Sequence, residues 1–221
     1  MTKRISKQLN SFKYKGEPIK ITLGTLILTA FCVLLLVMAT FTQVTITHPN
    51  FSFDSLFSAS NYASAGESLK TYRYIPQIPA VFFIVGLLGR KFGVFTICLY
   101  IILGMFFPIF ALGGGMKYLF EYGFGYILAF IPAIFFSGTL LKVKTDFLRI
   151  VLLSVLGVLA IHILGVLYML FIATLRNAPM DLVSSWIGVQ SGVQILYDMF
   201  FSVLAIYLGR ISRKLLWIIM C

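Results

Sequence analysis

Long unbroken apolar runs dominate this chain, and they are separated by polar breaks that differ in character. The first run, Ile21 to about Thr42, carries no charge and places Leu, Ile, Val or Phe in nearly every helical turn. A helix needs roughly 20 such residues to cross the hydrocarbon core of a bilayer. Five more runs follow: Ile75 to Gly89, Phe92 to Ala111, about Tyr122 to Leu141, Phe147 to about Thr174, and Gln190 to Leu208. A cleaved signal peptide would have a shorter apolar region ending in a small-x-small site, which Val37 to Phe41 does not supply. The pattern therefore predicts an all-α fold, a polytopic membrane bundle of six transmembrane helices. Its expected parts are a basic N-terminal segment 1–20, a six-helix membrane domain 21–210 and a short tail 211–221.

The breaks supply the orientation. Of the 18 Lys and Arg residues, the outward breaks hold Lys70, Arg73, Lys117 and Arg176, beside the acids Asp54, Glu67, Glu121 and Asp181. All the other cations fall on the opposite side, in 1–20 and at Arg90-Lys91, Lys142, Lys144, Arg149, Arg210, Arg213 and Lys214. Translocation selects against basic residues in short outward loops, so both termini are expected in the cytoplasm. The longest break, Gln43 to Tyr74, is rich in Ser, Asn and Gly and reads as an extended outward loop. Within it, Phe51 to Phe57 has the makings of a small amphipathic interfacial piece. Leu175 to Val189 reads as a second outward loop.

Composition changes little in this picture. Hydrophobic residues make up 60% of the chain and charged residues 11%, with a mean hydropathy of +0.98. The net charge of +11 arises from the inward segments, and no basic stripe alternates with aromatics, so nucleic acid is not an expected partner. Cys32, Cys98 and Cys221 show no CxxC spacing and read as free thiols; neither a metal nor a cofactor is expected. Phosphate-loop, HExxH and GxSxG motifs are missing from the sequence, and no enzymatic activity is expected.

A few residues are not what lipid asks for. Asp198 would lie about 18 Å along a helix from the inner-end Arg210, at about 1.5 Å per residue. A carboxylate deep in a span costs about 2.5 to 3.5 kcal/mol on insertion scales, so it faces the bundle or a cavity, as a ligand contact or as a hydrogen-bonded packing residue. His162, mid-way along the fifth run, reads as a partner of Asp198, a substrate contact or a neutral side chain bonded to a neighbouring helix. Gln77, between Pro76 and Pro79, suits a helix cap or a ligand contact. From Phe110 to Tyr126 the chain is least helix-like: Gly113, Gly114 and Gly115 allow close backbone approach, and Lys117 and Tyr126 accompany several aromatic rings. That set suits either a small organic ligand or an interfacial aromatic belt. A small intramembrane enzyme acting on a lipid or isoprenoid through Asp198 and His162 is the alternative from another class.

The run Tyr74-Ile-Pro-Gln-Ile-Pro-Ala80, then Gly86-Leu-Leu-Gly-Arg-Lys-Phe-Gly93, Tyr100-Ile-Ile-Leu-Gly104, Pro108-Ile-Phe110-Ala-Leu-Gly-Gly-Gly115 and Gly125-Tyr126, resembles the BioY family, with its parts in the right order. These are biotin-specific S components of energy-coupling factor (ECF) transporters. The resemblance implies a bacterial-type cytoplasmic-membrane protein with an outward biotin pocket, closed by the loops after the first and third spans. It also implies an ECF transmembrane subunit and two ATP-binding subunits as partners, whose ATP hydrolysis reorients the S component in the bilayer. Thr25, Thr29 and Ala30 correspond loosely to the small-residue face used for docking. Biotin would draw on Asp198, Tyr126, Gln77, Phe110, Gly114 and Gly115. Where the family often carries a Lys three residues after the Asp, this chain has Phe201, which leaves Lys117 as the candidate for the ligand carboxylate. An S component for riboflavin or thiamine is the nearest alternative.

Overall fold

The computed structural model describes residues 22–49, 69–111, 113–141 and 146–220. The segment 1–20 and the piece Phe51 to Phe57 lie outside the described residues. The first helix, α1 (Leu23–Phe41), starts in a capping box in which Thr22 and Thr25 satisfy each other's backbone N–H. Its buried face is Thr29, Cys32, Val33, Leu36 and Thr40, at helical spacing, while Phe31, Leu34 and Met38 point outward and are exposed. Exposed Leu, Ile and Phe recur on every long helix, as expected where lipid is the solvent.

After α1 the chain forms an antiparallel pair, β1 (Val44–Pro49) and β2 (Leu69–Tyr74), in which Val44 sits opposite Tyr74. This short two-stranded ribbon lies within the 43–74 connection, where the sequence predicts an extended loop, and the rest of the fold is helical. Helix α2 (Gln77–Phe106) is broken at Gly89, whose φ of 73° and ψ of −168° leave the helical region. The break is a reversal. A Cβ built on Gly93 would lie 3.9 Å from the Cα of Val85, residues that a straight helix would hold about 12 Å apart.

Helix α2 ends at Phe106, earlier than the expected end at Ala111. A short 3-10 helix follows at Met116–Phe120, then α3 (Phe124–Leu140) and α4 (Phe147–Leu175). The segment expected to be the last outward loop is instead mostly helical: α5 (Met180–Ser191) starts after Pro179 and ends at Gly192. Helix α6 (Gln194–Met220) runs through the stretch expected to be a tail. Leu23–Phe41, Gln77–Phe106, Phe147–Leu175 and Met180–Leu216 are long and apolar enough to cross a membrane, and Phe124–Leu140 is a shorter apolar helix. The chain is an integral membrane protein on that evidence.

Helix α6 packs chiefly against α2, and α4 against α3. A Cβ on Gly86 would meet the Ile206 carbonyl at 2.7 Å, and one on Gly209 would meet the Phe83 carbonyl at 2.4 Å. The α2 and α6 backbones therefore touch directly, the close approach that small residues permit in membrane bundles.

Candidate ligand-binding site

At the end of the bundle away from Arg90 and Arg210, several chain segments converge on a cavity of about 60 Å³. Its polar lining comes from Gln77 at the start of α2, Tyr126 on α3, Gln190 on α5 and Gln194 on α6. Tyr118 and Ile127 supply apolar surface, with Ile75, Ala111 and Gly123 completing the wall. Amide and phenol groups set among apolar side chains are the usual makings of a small-molecule site.

The Gln77 amide is held in place: its Nε2 donates to the Tyr100 hydroxyl at 3.0 Å, and that hydroxyl lies 3.0 Å from Thr40 Oγ1 on α1. Gln194 Oε1 accepts from the Tyr72 hydroxyl at 2.8 Å, which joins β2 to the rim. The β2 aromatics also pack on α6. Tyr72 stacks on Tyr197 with centroids 6.2 Å apart, and Tyr74 lies 5.3 Å from Phe201. Phe201 thus serves as a wall for the strand at the position where the sequence comparison looks for a lysine.

Beneath the cavity lies a buried polar chain. Asp198 is 0% exposed and His162 is 3% exposed. The Tyr74 hydroxyl donates to Asp198 Oδ1 at 2.9 Å, and His162 Nε2 stands 3.3 Å from Oδ2. On its other side His162 Nδ1 is 3.0 Å from Ser191 Oγ, which is 2.6 Å from the Tyr126 hydroxyl. A continuous hydrogen-bonded path therefore runs from the cavity wall to the ribbon. Burial, with the Asp198 charge beside it, pushes the Tyr74 phenol upward, and the same two causes bring Tyr72 up to about 12, so both stay protonated donors.

The residues singled out from the sequence are distributed unevenly. Gln77 and Tyr126 line the cavity. Asp198 sits one helical turn below Gln194, engaged by Tyr74 and His162. Phe110 is fully buried behind the wall, packed on Tyr100, Tyr118 and Phe124. Gly114 and Gly115 shape the turn: a Cβ on Gly114 would lie 2.2 Å from the Phe107 carbonyl, and Gly115 has a φ of 86°. Lys117 is exposed, next to Tyr118. Sequence reasoning did not single out Gln190, Gln194, Ser191 or Tyr74. Two glutamines beside an intramembrane acid were a usable signal; the role of Tyr74 was not, because it depends on a contact with α6.

Residues 71–216 match the BioY family. The chain belongs to the BioY family. The matched span includes every cavity-lining residue and the whole buried chain from Tyr126 to Tyr74. No curated protein matches this BioY chain. Among solved structures it is similar to one described as the S-component for biotin from an ECF-type ABC transporter. The two align with a TM-score of 0.61 and 19% identity, over 88% of this chain and 95% of the other. At that identity the likeness shows a shared fold.

Proposed function

We propose that this BioY chain is the biotin-binding S component of an energy-coupling factor transporter. The observation that carries the reading is the cavity within the family-matched span, where Gln77, Gln190, Gln194 and Tyr126 stand among apolar walls. Biotin needs neutral hydrogen-bonding groups for its ureido edge, which the amides and the phenol supply. Its fused ring and chain need an apolar surface, which Tyr118 and Ile127 offer, backed by Phe110 and the turn through Gly114 and Gly115. Lys117, exposed beside Tyr118, is the proposed partner of the carboxylate. Asp198 acts from beneath, holding the polar wall. A ligand-sized pocket is about 300 Å³ or more, so holding biotin requires this cavity of about 60 Å³ to widen.

In this reading the chain crosses a bacterial-type cytoplasmic membrane six times, the reversal at Gly89 making α2 two of the crossings, with both termini inside. The sequence contains no phosphate loop, so ATP hydrolysis falls to two ATP-binding partners acting through an ECF membrane subunit. Membership of the BioY family favours a binding subunit over the alternative of an intramembrane enzyme acting through His162 and Asp198.

Titration calorimetry on detergent-purified protein, with mass spectrometry of any copurifying small molecule, tests the assignment. Biotin is expected to copurify and to bind saturably at one site, unaffected by excess riboflavin or thiamine. Copurification of a different vitamin, or no heat of binding with biotin, overturns it.

A further inference from the structure

Tyr126 both lines the cavity and ends the buried chain, and the order of protons along that chain decides what its hydroxyl has left to offer a ligand. The order follows from the Asp198 end. With Asp198 ionised its oxygens accept only, so Tyr74 donates at Oδ1 and the His162 Nε2–H at Oδ2. An imidazole carrying its proton at Nε2 presents a bare lone pair at Nδ1. Ser191 lies 3.0 Å from that nitrogen and turns its hydroxyl proton toward it. The oxygen of Ser191 is then left to accept, and the Tyr126 hydroxyl at 2.6 Å is the donor. Tyr126 is only 7% exposed, and its ring stands edge-on to His162 with centroids 5.7 Å apart, which keeps the hydroxyl in this alignment.

We propose that Tyr126 faces the cavity as a hydrogen-bond acceptor, its own proton committed inward to Ser191, so that the site selects ligands bearing an N–H or O–H donor at that position. Resting on the biotin reading, that donor is a ureido N–H. His162 and Ser191 are positioning residues that never touch the ligand. Asp198 acts through them, setting the polarity of a group on another helix.

Two measurements test the proposal. In full-length protein labelled with ¹⁵N-histidine, His48→Gln leaves a single ring, because the chain has 2 His. Nitrogen shifts are expected to show His162 protonated at Nε2 and bare at Nδ1. A proton on Nδ1, alone or together with one on Nε2, reverses the chain and overturns the proposal. This readout needs no ligand, so it decides the proton order even if biotin fails to bind, a result that would sink the functional assignment instead. The second measurement is a double-mutant cycle on biotin affinity. Tyr126→Phe is expected to weaken binding about tenfold, the loss of one hydrogen bond. Ser191→Ala is expected to weaken it several-fold by releasing the Tyr126 proton toward the ligand, and the double variant is expected to be no weaker than Tyr126→Phe alone. Losses that multiply instead would show two independent contacts and overturn the relay.

Discussion

One wall of the cavity is held by polar bonds and the other by shape. On the first, Gln194 and Tyr126 are anchored through Tyr72, Ser191, His162, Asp198 and Tyr74, side chains drawn from α3, α4, α5, α6 and β2. On the second, Phe110, Tyr118 and Phe124 interlock, with Phe110 seated against Gly104 and the backbone folded tightly at Gly114. Polar bonds are directional, so each member of the first wall fixes the orientation of the next. Packing constrains volume and leaves hydrogen-bond polarity unspecified. In the proposed site, specificity would therefore belong to the first wall and the apolar fit to the second.

Breaking one member at a time should separate the two. The largest effect is expected at Asp198→Ala, which leaves His162 and Tyr74 buried without their acceptor. Losing one partner of a buried pair costs about 3–5 kcal/mol, so the thermal transition in detergent should fall steeply and biotin binding should vanish. Asp198→Asn, which keeps an acceptor oxygen for Tyr74, should lose less. Next comes Gly114→Ala on the packed wall. The added Cβ would lie 2.2 Å from one carbonyl and 2.8 Å from another, both backbone atoms with little room to give. About 2 kcal/mol of destabilisation is expected, with weaker biotin binding but an unchanged His162 tautomer. A tautomer change in that variant would mean that the two walls are not separable. The smallest effect is expected at Lys117→Ala, where an exposed cation contributes at most a few-fold to affinity. That contribution should shrink further as salt rises, and salt-insensitive loss would relocate the carboxylate contact.

Much of this arrangement was legible in the sequence, for a physical reason. Lipid demands continuous apolar helices, so the runs from Ile21, Ile75, Phe147 and Gln190 could hardly be anything else. Asp198 stood out because its desolvation is costly, and His162 was named among its possible partners. The ribbon was missed although the signal was present: Val44 and Ile46 alternate with threonines, as Tyr72 and Tyr74 do with Thr71 and Arg73, the period of a strand. Polar surroundings outweighed that short alternation. Helix α5 was missed because a polar, proline-led segment resembles a loop until Pro179 is taken as a first-turn signal and Asp181 as its acidic companion. Tyr74 and Asp198 are 124 residues apart, and no local pattern connects them.

The glycine pair Gly86 and Gly209 carries a mechanical consequence. Where two backbones lie in contact, neither helix can slide or roll past the other without collision. Gln77 and Gln194 sit at the far ends of the same two helices, so both cavity amides are carried on one shared, tightly seated base.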